Sequence, residues 1–290
     1  MSQSQYGNLI TSRLQAPPEV MANLPMYSKI GKRILWIDNN VVKGSFQMNC
    51  SWYLHPTLTG PPSHAHDSDE IIAFFGNNPD DPSDLGGEIE IWIEDQAFFL
   101  TKSTLLFVPR GVGHCPLILR QVNRPIIHFT TVTEETYIMG KKGWVEKPIN
   151  GYGNHVITTL KMPPEKMAIE SEYNKYARRV LWMDENVVPG AFHVNVAWYL
   201  KAGPTLENMP HTHEQGEIIG FLGSNWEDPA DLGGEIELWI ENEKQTITRS
   251  SMIYIPAGLK HCPLILRRVD RPIFHYTVVP NQRYIKTVIK

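Results

Sequence analysis

The chain has 290 residues, 42% of them hydrophobic and 20% charged, with a formal net charge of −4 at pH 7. That is the make-up of a globular protein of one or two domains, and it gives nucleic acid or an anionic membrane no electrostatic hold. Three cysteines, Cys50, Cys115 and Cys262, make no disulfide framework, and no run approaches the ~20 apolar residues of a membrane span. With neither a basic n-region nor an apolar h-region near Met1, a cytoplasmic protein is expected.

In chain order, a first segment "QYGNLITSRLQAPPE" leads into a short helical candidate, "PPEVMANL", where Pro is tolerated in the first turn. Strands are expected at "GSFQMNCSWYL", "EIEIWIE", "STLLFVP", "PLILRQV" and "PIIHFTTV", which are rich in β-branched and aromatic residues. Turn clusters such as "GNNPDDPSDLGG" separate them. After "GKKGWVEKPING" the same text returns: "GYGNHVITTLKMPPE", "RVLWMDENVVPGAFHVNVAWYL", "DLGGEIELWIE" and "HCPLILRRVDRPIFHYT" answer segments of the first half at an offset of about 147 residues. A period that long is a duplicated domain, not a solenoid repeat of ~20–45 residues. Two domains are expected, residues 1–146 and 147–290, each a sandwich or barrel of short strands in which the helices are accessories.

Eight of the eleven histidines fall in four repeat-related pairs: His64/His211, His66/His213, His114/His261 and His128/His275. The first two pairs lie in "HAHDSDE" and "HTHEQGE", both H-x-H-x-x-x-E, which adds Glu70 and Glu217. On a strand, residues two apart share a face, so the H-x-H imidazoles project together, and the Glu joins them if the strand runs on unbroken. The turns "PRGVGHCP" and "PAGLKHCP" then deliver His114 and His261. Three imidazoles and a carboxylate form a borderline N/O donor set suited to Fe, Mn, Zn, Ni or Cu. An octahedral ion there would keep two positions open for water, substrate or dioxygen.

These two blocks, H-x-H-x-x-x-E followed by P-x-G-x-x-H, resemble the two motifs of the cupin superfamily, and their recurrence makes the whole chain resemble a bicupin. The resemblance implies an all-β fold of two tandem jelly-roll β-barrel domains. It also implies metal ligands His64, His66, Glu70 and His114 in one half and His211, His213, Glu217 and His261 in the other. Two divalent transition-metal sites follow, with Fe or Mn favoured and Zn, Ni or Cu as alternatives. The competing reading makes these histidines relics lining a metal-free barrel. Cupins of that kind usually lose a ligand, and neither half has.

His128 and His275, in "RPIIHFT" and "RPIFHYT", are candidate catalytic acid/base groups or supports for the metal ligands; the bland alternative is a half-buried ring bonded to backbone. Cys115 and Cys262 follow a ligand His directly, so strand alternation turns their thiols away from the metal. Asn49/Asn195 and Tyr53/Tyr199 are expected in core packing, with substrate contact as the alternative, and Glu88, Glu90, Glu235 and Glu237 on a solvated outer face.

The function expected is a metal-dependent dioxygenase acting on a small organic molecule, similar to quercetin-dioxygenase-type bicupins. The alternatives are a non-oxidative decarboxylase, lyase or isomerase, and a non-catalytic metal- or ligand-binding bicupin. Oxalate chemistry is disfavoured because no Ser-Glu-rich lid of the R-x-S-E-E-S-T kind is present. A small-molecule partner is expected, with no nucleic acid or membrane, and either a monomer or a homo-oligomer suits the fold.

Overall fold

The computed structural model describes residues 4–138, 148 and 150–289. All strand pairings in it are antiparallel. In the first half a six-stranded sheet runs, edge to edge, through Val156–Ile157, Thr104–Val108, Glu70–Gly76, Ile126–Val132, Met48–Tyr53 and Gly31–Ile37. A three-stranded sheet of Gln96–Lys102, Asp84–Ile93 and His114–Val122 completes the sandwich. Ile72, Phe74 and Leu106 from the larger sheet pack with Ile89, Ile91 and Leu119 from the smaller one in a single buried cluster. This is the jelly-roll arrangement expected of many short, turn-separated strands.

The second half repeats the plan. Its six-stranded sheet contains Ile10–Thr11, Ser251–Ile255, Glu217–Gly223, Ile273–Val279, His193–Tyr199 and Ala177–Met183. The opposing sheet is built on Glu243–Arg249, Asp231–Ile240 and His261–Val269, extended by His211–Thr212 and Thr287–Val288. Short helices, Pro18–Ala22 and Leu24–Tyr27, then Pro164–Met167 and Glu170–Tyr173, carry the Pro-led segments. Among the described residues no helix is long and apolar enough to cross a membrane.

The compact units differ from the sequence repeats at their edges. One comprises Gln15–Asn39 and Phe46–Thr159; the other comprises Met1–Leu14, Asn40–Ser45 and Leu160–Lys290. The exchange is made by two edge strands. Ile10 pairs with Ile253, and Val156 pairs with Leu106. Each repeat therefore sends its opening strand to the other repeat's sheet. The "GKKGWVEKPING" seam lies almost wholly outside the described residues.

Glu90 and Glu237 depart from the solvated face expected of them: they are only 4% and 6% exposed. Glu90 accepts from Trp92 Nε1 at 2.6 Å and Arg120 Nε at 2.6 Å, and Glu237 accepts from Trp239 Nε1 at 2.7 Å and Arg267 Nε at 2.8 Å. A covering indole and guanidinium exclude water while satisfying the carboxylate, which alternation alone cannot reveal.

Candidate metal centres

His64 and His114 are joined by an isolated antiparallel bridge, with reciprocal backbone bonds of 3.1 and 2.9 Å, which sets their rings 4.4 Å apart. His66 follows two residues later, its ring 5.1 Å from that of His64. The strand does not run on to Glu70 as the spacing suggested. The chain bends at Asp67–Ser68, and Glu70 opens the separate strand Glu70–Gly76. Its carboxylate still arrives, with Oε2 at 3.4 Å from His66 Nε2 and 3.0 Å from His114 Nε2. The second half matches: Glu217 Oε2 is 3.4 Å from His213 Nε2 and 3.0 Å from His261 Nε2. The His211 and His261 rings are 4.3 Å apart.

Backbone carbonyls fix the tautomer of every ring. Nδ1–H of His64 donates to Pro62 O at 2.9 Å, that of His66 to Ile138 O at 2.8 Å, and that of His114 to Val112 O at 3.3 Å. His211, His213 and His261 donate likewise to Met209, Ile285 and Leu259 at 2.8, 2.6 and 3.1 Å. With the proton held on Nδ1, each Nε2 presents a lone pair. Orientation of a ligand imidazole by a bond from its other nitrogen is the usual support of a metal site.

The inward atoms are otherwise unsatisfied. Nε2 of His66, His114, His211, His213 and His261, with Oε2 of Glu70 and Glu217, are buried without a hydrogen-bond donor. Lone pairs facing lone pairs at 3.0 Å need a cation or a proton between them. Burial works against the charge on Glu70 and Glu217, but the surrounding histidines outweigh it and hold both carboxyls far below the usual range. Burial also opposes a charged His66 or His213, yet the carboxylate bonds prevail and raise both. Ligand atoms of His64, His66 and His114, and of His213, Glu217 and His261, lie within 4.8 Å of one another, close enough to hold one ion in each half. The donor set fits a borderline divalent ion.

His128 and His275 sit beside these centres but are tightly held. Each donates Nδ1–H to a backbone carbonyl, Ala73 O at 3.0 Å and Gly220 O at 3.1 Å. His128 stacks between Tyr53 and Phe74, with centroids at 4.7 and 5.0 Å, and His275 between Tyr199 and Phe221, at 4.6 and 5.1 Å. Burial is the main cause that lowers both to about 4.

Cys115 and Cys262 do not turn away from the centres. Both occupy the left-handed region, at φ 74° and 73°, which breaks the alternation of a regular strand. Cys262 Sγ consequently falls within 4.8 Å of the ligand atoms of His211 and His261. Burial, with Glu70 adding to it, pushes the Cys115 thiol up to about 12, so it is neutral.

The sequence reading missed Tyr137 and Tyr284. Tyr137 Oη lies 3.4 Å from His64 Nε2, and its ring packs on His66 at 4.7 Å. Tyr284 packs on His213 at 4.9 Å. The dipeptide "YI" at 137–138 and 284–285 is the signal that was available. Its Tyr caps the centre and its Ile carbonyl anchors a ligand histidine.

Access differs between the halves. His64, Glu70, His114 and Tyr137 line a cavity of about 380 Å³, with Asn49, Tyr53 and His128 on its walls. Asn49 and Tyr53 are thus cavity residues as well as core. The corresponding pocket of the second half holds about 50 Å³, and none of His211, His213, Glu217 or His261 lines it.

No family model matches the sequence, and no curated protein matches it. Solved structures do. Two of oxalate decarboxylase from Bacillus subtilis align over 90% of this chain and 75% of theirs, at TM-scores of 0.60 and 0.58 with 12% and 11% identity. A third concerns the Mn(II) centres of that enzyme, at TM-score 0.57 and 9% identity. AerE from Microcystis aeruginosa aligns over 86% of this chain and 90% of its own, with 15% identity and TM-score 0.48. The fold is that of the bicupins.

Proposed function

We propose that the chain is a metal-dependent enzyme that transforms a small organic molecule at the centre formed by His64, His66, Glu70 and His114. One observation carries this reading: unsatisfied imidazole and carboxylate lone pairs converge on the wall of a ligand-sized cavity of about 380 Å³. Pockets that bind small molecules typically span ~300–1,000 Å³. A divalent ion held there would supply Lewis-acid polarisation of a bound oxygen and, if redox-active, a site for dioxygen.

The protein's own contribution is positioning. His64 and His114 are locked by reciprocal backbone bonds. Tyr137, whose hydroxyl burial keeps protonated, can hold a proton beside the reacting atoms. Glu70, a carboxyl on the cavity wall, belongs to the ligand set. In the dioxygenase reading, a redox-active ion held by the four ligand residues would supply a site for dioxygen at this cavity wall. The second reading, a non-oxidative decarboxylase, is favoured by the fold shared with oxalate decarboxylase; there, Tyr137 would deliver the proton.

Oxygen uptake during turnover of Fe- or Mn-loaded protein separates the two. Activity unchanged under strict anoxia refutes the dioxygenase and supports the decarboxylase. Purified protein that retains no metal after exposure to Fe, Mn, Zn, Ni or Cu refutes both.

A further inference from the structure

The two halves differ around one arginine. Arg33 and Arg179 stand at matching positions on the strands Gly31–Ile37 and Ala177–Met183. Each guanidinium lies over a tyrosine ring, Tyr27 at 4.3 Å and Tyr173 at 4.1 Å. Each also faces an asparagine: Arg33 Nη1 lies 3.5 Å from Asn49 Oδ1, and Arg179 Nη1 lies 2.5 Å from Asn195 Oδ1.

Their counter-charges are different. Arg179 is paired with Glu170 at 3.3 Å. Beside it Glu207 takes Lys166 at 3.9 Å and Lys286. Of these charged side chains, Lys166, Arg179 and Glu207 line the small pocket of the second half. Leu24 stands where the second half has Glu170, Val20 where it has Lys166, and Thr59 where it has Glu207. Arg33 has no carboxylate partner among the described residues. Its polar contact is one long bond to Asn49, whose own Nδ2 is tied to Thr130 Oγ1 at 2.7 Å and so keeps Oδ1 turned toward the guanidinium.

A half-buried guanidinium with most of its donors unused is an anion site in waiting, and its planar fork suits a carboxylate. The remaining wall is largely apolar and aromatic: Val20, Ile30, Tyr53, Ile72, Leu117 and Leu119. The cavity is far larger than a two-carbon diacid needs, and its apolar wall suits an apolar body. The second-half pocket of about 50 Å³ has room for little more than one or two waters, at ~30 Å³ each.

We propose that the first centre takes a monocarboxylate with a flat apolar body, its carboxylate seated on Arg33 and its body reaching the His64 centre, and that the second centre admits no substrate. This rests on the metal-enzyme reading above and adds the substrate class and the single point of entry.

The test is calorimetric titration of the metal-loaded full chain with 3-phenylpropionate, with its neutral match 3-phenylpropanamide, and with oxalate. The expected result is one site per chain for 3-phenylpropionate, bound about 10–100-fold more tightly than the amide, a difference of the size a charge-assisted bidentate pair gives. Oxalate should bind more weakly than 3-phenylpropionate. Arg33→Gln should erase the carboxylate preference while leaving metal content unchanged, and Arg33→Lys should restore part of it. Arg179→Gln should leave 3-phenylpropionate binding as in the wild type. The proposal is overturned if 3-phenylpropionate fails to bind, binds no better than the amide, binds at two sites, or is indifferent to Arg33→Gln. Metal content is read on the same samples. Absent metal refutes the enzyme reading, whereas intact metal with an indifferent Arg33 refutes only the anchor.

Discussion

His128→Phe and His275→Phe should each be less stable than the wild type at pH 7.5 and more stable than it at pH 5. Each histidine is held neutral in the fold, with a value lowered to about 4 mainly by burial. An unfolded chain titrates its histidines near ~6.5. Between those two values the unfolded chain binds a proton that the folded protein does not, so stability falls as the pH falls through that window and levels off below about 4. Integrating from pH 7.5 to 5 gives a loss of about 2 kcal/mol for each ring. Phenylalanine keeps the stack between Tyr53 and Phe74, or between Tyr199 and Phe221, but loses the bond to Ala73 O or Gly220 O. That bond is worth about 1 kcal/mol at any pH. At pH 7.5 the wild type should therefore be the more stable by about 1 kcal/mol, and at pH 5 the single variant should lead by a similar margin. Urea unfolding of chelated protein at both pH values measures this; the metal ligands titrate equally in wild type and variant and cancel in the difference. A gap that stays constant within about 0.5 kcal/mol would mean that the ring accepts its proton inside the fold. The reasoning would then be wrong, and the ring would be free to act as a proton relay.

Other expectations concern the centres. His64→Ala and His211→Ala should each remove about half of the bound metal by elemental analysis, since each centre keeps its own ligand set; loss in neither variant would end the two-centre description. Tyr137→Phe should lower kcat by about 10²–10⁴-fold with metal content intact, if its hydroxyl handles a proton at the centre. Gly60→Ala should cost metal at the first centre alone, because a Cβ there would lie 1.9 Å from Leu117 O and must displace the loop that carries His64. Spectroscopy of Mn(II)-loaded protein would show that loss as one of two signals disappearing.

What the sequence disclosed was local chemistry. The ligand residues stand in two short motifs, and the even spacing of His64 and His66 carries their convergence without further information. The duplication then turned strand patterns in one half into a check on the other. Tyr137 and Tyr284 escaped because the chain brings them to the centre only on its return from a distant strand, where the next residue's carbonyl accepts from the Nδ1 of a histidine 72 residues earlier. Cys115 and Cys262 were misplaced because alternation presumes extended backbone, and a left-handed φ removes that premise. The difference between the cavities was written in the sequence, in Val20 against Lys166 and Thr59 against Glu207. Its meaning depended on those side chains facing inward from helix and loop, where no periodicity gives direction.

The crossed edge strands impose an order of assembly. Ile10–Thr11 leaves the ribosome about 240 residues ahead of its partner Ser251–Ile255, a wait of roughly 10–50 s at ~5–20 residues per second. The sheet around Glu70 needs only Val156–Ile157 to close, so the unit with the open cavity can finish folding while the later one is still being made. A gene cut at the repeat boundary would give two fragments each lacking an edge strand, whereas co-expressed fragments would carry the missing pieces for each other.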